Sequence, residues 1–129
     1  VWGKQPDGKL WTVGIVNPLN KNKIFATFPI EDSAVETSGN YEKFVVFNGI
    51  RYSHIIDPRT GYPTQGVASV SVFAKQTEIA DALATGIFVL GVEVGLDLVN
   101  QMKGVQCIIV DDKGKIHSSK GIDIKKFEK

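Results

Sequence analysis

The stretch from Val67 to Leu90 restricts the fold more than any other, because one periodicity gives way to another inside it. Val67 to Ala74 alternates with period two, which puts Val67, Ser69, Ser71 and Phe73 on one face of a strand and Ala68, Val70, Val72 and Ala74 on the other. A helical period follows at once. Thr77 is placed as N-cap, Glu78 and Asp81 bring acid to the start, and Ile79 to Leu90 runs to Gly91, which suits the residue after a helix. At about 100° per residue, Ile79, Leu83, Ile87 and Leu90 form an apolar stripe, flanked by Ala80, Ala84 and Phe88 and backed by Ala82 and Val89. Glu78, Asp81 and Thr85 make the one polar seam. A helix this apolar is expected to be buried, where an unpartnered aspartate is costly.

The segments on either side extend the pattern. Upstream, Asp7-Gly8 reads as a hairpin connection with a short first arm, Leu10 to Val16 as a strand, the N-K-N-K tract as a loop, and Ile24 to Ile30 as a second strand. Downstream, Val92 to Met102 is amphipathic, Val105 to Val110 is a buried-strand pattern, and Asp111-Asp112-Lys113-Gly114 turns into a short strand at Lys115 to Ser118. The tail from Gly121 to Lys129 is charged and expected at the periphery. Strands, then two helices, then strands predict an α+β domain: a mostly antiparallel sheet with two helices packed on one face, over residues 1–129.

Charge excludes some partners. Fifteen Lys and Arg against fourteen Asp and Glu give a formal charge of +1, and no basic run marks a nucleic-acid footprint. Cys107, the single cysteine, sits in V-Q-C-I-I-V and reads as a small core residue. Neither a signal peptide nor an apolar run of membrane-spanning length occurs. The numbered chain begins at Val1 without a methionine, and it is expected to be a processed or excised piece of a longer protein.

Polar chemistry is concentrated in two places. Tyr52 to Pro63, Y-S-H-I-I-D-P-R-T-G-Y-P, runs from a strand into a loop carrying His54, Asp57, Arg59, Thr60 and Gly61. Asn48-Gly49 before it predicts a type I′ hairpin, pairing Phe47 with Ile50, Val45 with Tyr52, Lys43 with His54 and Tyr41 with Ile56. That register brings a second loop, Thr37-Ser38-Gly39-Asn40, beside Asp57 to Gly61, and the backbone N–H groups of such loops can form an anion site. Arg59 has a competing reading as a surface turn residue paired with Asp57. The second place is Asp81 with Thr85, whose four-residue spacing puts a carboxylate and a hydroxyl on one helix face, half of a Mg²⁺ site. Each also has an ordinary explanation: Asp81 in the helix dipole, Thr85 in a bond back to the Asp81 carbonyl.

Y-S-H-I-I-D-P-R-T-G-Y-P, then D-A-L-A-T-G-I-F-V-L-G, with V-E-T-S-G-N-Y-E upstream, resembles the FAD:protein FMN transferases known as the ApbE family. The resemblance runs from W-T-V-G-I-x-x-P almost to the C-terminus and departs at Glu36, where a small residue is expected. Members are more than twice as long, so the chain resembles their C-terminal portion, without the N-terminal half that supplies much of the flavin pocket. The resemblance implies Mg²⁺-dependent transfer of FMN from FAD to a threonine hydroxyl of a target protein, such as a membrane redox-complex subunit; some relatives hydrolyse FAD to FMN and AMP. It carries Asp81 and Thr85 over as metal ligands and His54 as general base, with Thr37, Ser38, Gly39, Arg59, Thr60 and Gly61 around the phosphates of FAD. It also implies a parent at the bacterial envelope, a lipoprotein of the periplasmic side. The competing expectations are a module that binds FAD or metal without transfer, and a folded fragment inactive alone. His117, in a short terminal strand without partners, is assigned a structural role.

Overall fold

The computed structural model describes residues 1–41 and 43–124. In chain order the elements are β1 (Trp11–Asn17), β2 (Asn20–Ile30), β3 (Ala34–Gly39), β4 (Phe44–Phe47), β5 (Ile50–Ser53), β6 (Ile56–Asp57), β7 (Tyr62–Pro63), β8 (Val67–Ala74), α1 (Thr77–Leu90), α2 (Val92–Gln101), β9 (Gln106–Asp111) and β10 (Ile116–Ser118). The framework is a four-stranded antiparallel sheet in the order β10-β9-β8-β3. Both helices pack on one face of it, as the α+β expectation required. α1 lies over β3 and β8, and α2 lies over β9 and against α1.

Alternation along the strands sorts the two faces. Val70, Val72, Ala74, Cys107 and Ile109 meet Ala80, Ala84, Ile87, Phe88 and Val99 in the helix-side core. Phe73, Val35 and Ile108 point the other way, where the β1–β2 hairpin covers the sheet with Ile15, Ala26 and Phe28. Phe28 and Phe73 meet edge to face with centroids 5.2 Å apart. Val67 breaks the predicted alternation. A bulge between Val67 and Ser69 inserts one extra residue against β9, and this turns Val67 into the helix-side core with Val70 and Val72.

Several local expectations are corrected. The N-K-N-K tract belongs to β2 from Asn20 onward, because pairing with β1 continues to Asn17. Asp7-Gly8 does turn the chain, with Gly8 N–H donating to the Gln5 carbonyl at 2.8 Å, but no strand precedes it. Gln76, extended at φ −115° and without a side-chain cap, is the N-cap of α1, so Thr77 is already helical. The buried side of α1 is Ala80, Ala84, Ile87 and Phe88, while Ile79 is exposed. Two alanines let the backbone sit low on the sheet and rotate the stripe from the one predicted. Ile122 and Ile124 pack on the hairpin-side core, so the tail is not peripheral there; residues 125–129 lie outside the described residues. No helix among the described residues is long and apolar enough to cross a membrane.

Candidate functional site

The most direct meeting of predicted site residues is between β3 and α1. β3 is the edge strand of the sheet, and α1 starts near its first residue and runs alongside it. Ser38 Oγ lies 3.0 Å from Thr85 Oγ1, in the hydrogen-bonded range for two hydroxyls. Asp81 precedes Thr85 by four residues and so shares that side of the helix. Both are exposed, which overturns the expectation of a buried seam: α1 has a single face on the sheet, and 81 and 85 lie off it. The Asp81 carboxylate makes no hydrogen bond or ion pair among the described residues, so it is available.

Thr37 to Gly39 were expected in a loop and are found in β3, paired with β8. Strand geometry then separates neighbours. Ser38 points to the helix side, whereas the Thr37 hydroxyl is 2.8 Å from Ser71 Oγ on the opposite face. Their side chains therefore serve different faces. A Cβ at Gly39 would overlap the Tyr41 ring, which explains the glycine by close packing.

The Asn48-Gly49 hairpin forms as predicted. Asn48 and Gly49 take φ of 49° and 75°, and Phe47 pairs with Ile50 and Val45 with Tyr52. The ladder stops at Phe44–Ser53, however, and Ile56 pairs with Pro63 rather than Tyr41. His54 stays in register with Lys43: its N–H is 3.4 Å from the Lys43 carbonyl and its ring Nδ1 is 2.8 Å from the same oxygen. A carbonyl only accepts, so Nδ1 carries a proton, and in the neutral ring Nε2 is then the nitrogen with the lone pair. The exposed ring borders an open cleft with Phe44, Val45, Tyr52 and Pro63. Another cleft lies at the start of α1 and holds none of the predicted site residues.

The loop after His54 closes on Asp57. The Asp57 carbonyl accepts from Thr60 N–H at 3.2 Å and Gly61 N–H at 2.8 Å, and its carboxylate takes the Arg59 guanidinium in a two-pronged contact of 2.8 and 2.9 Å. This contact, with the Arg59 N–H at 2.9 Å, holds the Asp57 carboxyl below the usual carboxylate range and raises Arg59 in return. Arg59 also donates to the Val89 carbonyl at 3.2 Å. The hairpin register does not join the two predicted segments; α1 does, holding Ser38 at Thr85 and Arg59 at Val89. No sequence signal marks the carbonyls of Lys43 and Val89, since every residue has one.

His117 proves to have a partner, with Nε2 2.9 Å from Asp111 Oδ2. The spacing around D-D-K-G could have revealed it, because Asp111 faces Lys115 and His117 is the next residue on that face. Cys107 is buried as expected, and burial pushes its thiol up to about 11.

The donor set matches Mg²⁺ in kind. A free carboxylate and a hydroxyl four residues apart offer hard oxygens, and no group of three His, Cys, Asp or Glu side chains among the described residues forms a fuller cage. Such a set leaves most of an octahedron to water and substrate oxygens.

Known proteins are similar to this chain in sequence and fold. The FAD:protein FMN transferase of Treponema pallidum is 42% identical over 114 residues, covering 87% of this chain and 32% of that protein. The one from Rhodobacter capsulatus is 40% identical over 110 residues, covering 84% and 21%. Among solved structures, the ApbE protein of Thermotoga maritima superposes with a TM-score of 0.83 at 37% identity, over 98% of this chain and 41% of that one. The apo flavinyl transferase ApbE of Pseudomonas stutzeri gives 0.76 at 34%, over 95% and 38%. The chain thus spans about a third or less of the curated relatives it matches. A model of the ApbE family matches residues 1–109, taking in every residue of the site just described, and the chain belongs to that family.

Proposed function

We propose that this chain is the C-terminal part of a flavin transferase that moves FMN from FAD to a threonine hydroxyl of a target protein. The observation that carries the reading is the His54 ring, whose Nδ1 is committed to the Lys43 carbonyl while the exposed ring borders an open cleft. Nε2 takes the proton of the acceptor hydroxyl as its oxygen bonds to the phosphorus of the FMN half of FAD; the pyrophosphate P–O bond breaks and AMP leaves. Asp81 and Thr85 are assigned to Mg²⁺, which when bound neutralises charge on the pyrophosphate. Thr85 can donate to Ser38 and still present lone pairs, so the Ser38–Thr85 contact orients one of the ligands. Ser38 is assigned to the phosphate side, while the Thr60 and Gly61 N–H groups are spent on the Asp57 carbonyl and shape the loop there. Exposure of His54 supports one second reading, that water replaces the acceptor and FAD is hydrolysed to FMN and AMP.

The acceptor belongs to a membrane redox complex and the parent protein to the bacterial envelope, as the family resemblance implies; the fragment alone is inactive because half a pocket does not order FAD. The longer protein carrying this segment, given FAD, Mg²⁺ and a threonine-containing acceptor peptide, should add FMN to the threonine, seen as a mass increase. Asp81→Ala should lose Mg²⁺ binding in calorimetry. No adduct from the unaltered protein would overturn the proposal.

A further inference from the structure

α1 ends with a defect that a distant residue repairs. Its last turn contains no basic side chain, and a helix end leaves its last carbonyls short of helical partners. Ile87 O accepts from Gly91 N–H at 3.0 Å. Val89 O accepts from the Arg59 guanidinium, thirty residues earlier in sequence. The same guanidinium is fixed by Asp57, whose side chain is 16% exposed against 64% for Arg59. Asp57 in turn holds the loop closed through Thr60 and Gly61. Arg59 therefore joins three things: the loop that follows His54, the negative end of α1, and, four residues before Val89 on the same helix, Thr85. Four residues of helix rise about 6 Å, so the strut lands one turn from the hydroxyl assigned to the metal.

We infer that Arg59 is a positioning residue, a strut that fixes the His54 loop to the helix bearing Asp81 and Thr85, and that it is not a phosphate ligand. The inference rests on the transferase reading for its consequence and on the Asp57–Arg59–Val89 contacts for its geometry. A guanidinium engaged at Nε and Nη2 has only Nη1 left for a ligand. The strut costs the protein nothing in FAD affinity when it is cut; what it sets is the distance between base and metal.

The test compares Arg59→Ala and Arg59→Lys with the unaltered longer protein, measuring kcat for transfer, Kd for FAD by fluorescence quenching, and hydrogen exchange at Thr60, Gly61 and Gly91. Arg59→Ala should lower kcat about 10–100-fold, the scale of a small misplacement in an active site, with FAD Kd within about twofold and faster exchange at all three amides. Arg59→Lys keeps the charge at the helix end but loses the fork, and should recover part of kcat and of the protection. A rise in FAD Kd of about tenfold or more with kcat unchanged would restore the phosphate-ligand role and overturn the strut. Unchanged exchange in Arg59→Ala would overturn it also, and that readout holds even if the protein transfers no flavin.

Discussion

Two regions of this chain are about equally apolar and use it in opposite ways. In β8, α1 and β9, Val70, Val72, Ile87 and Phe88 are 0–1% exposed. In the β4–β5 hairpin, F-V-V-F-N-G-I places Phe44, Val45, Val46, Phe47 and Ile50 at the surface, with Val45 67% exposed. The first region has a second layer against it and the second, among the described residues, does not. Apolar content alone therefore does not decide burial; a layer to pack against does. The first region supplies rigidity, and the second, with β6 and β7, carries His54 and the Asp57 loop. The candidate site lies at their junction, where α1 reaches β3 and Arg59.

The contrast can be broken first in the frame. Phe88→Ala empties a site 1% exposed in the helix-side core and should cost about 3–5 kcal/mol in urea unfolding. A loss below about 1 kcal/mol would mean that α1 does not anchor the core.

An intermediate effect belongs to the far edge of the sheet. His117, followed by the backbone N–H groups of Lys115 and Lys113, holds the Asp111 carboxyl below its ordinary range. A depressed carboxylate stabilises the fold above its unfolded pKa, and that contribution is lost as pH falls through the folded value. The difference in Tm between the unaltered chain and Asp111→Asn should therefore be fully present at about pH 5 and shrink below about pH 4. A constant difference down to about pH 2.5 would show that the pairing carries no linked stability.

The smallest effect is expected in the hairpin. Val46→Thr, at a surface position in β4, should change the unfolding free energy by no more than about 0.5 kcal/mol. A loss of 2 kcal/mol or so would show that the hairpin is covered in solution and would erase the contrast.

What could be read from the sequence follows the same division. Period-two and helical patterns located β8, α1, α2 and β9, because burial against a layer imposes them, and Asn48-Gly49 located its turn because both residues take positive φ. Thr37-Ser38-Gly39 was not legible as a strand: its residues resemble turn chemistry, and its pairing partner β8 lies some thirty residues away. The stripe on α1 was misplaced because Ala80 and Ala84 are chosen for close approach rather than bulk. At the candidate site, Asp81 and Thr85 are put forward by their spacing and His54 by its motif. The Asp57 carboxylate that holds Arg59 was within reach of the sequence, but the carbonyls that orient His54 and also take Arg59 carry no sequence signal.

The central claim is that His54 acts as the base at this junction. Single-turnover transfer by the longer protein, with saturating FAD and Mg²⁺, tests it through His54→Ala. The rate of adduct formation should fall about 10²–10⁴-fold while FAD affinity stays within about twofold. Transfer at the unaltered rate would contradict it.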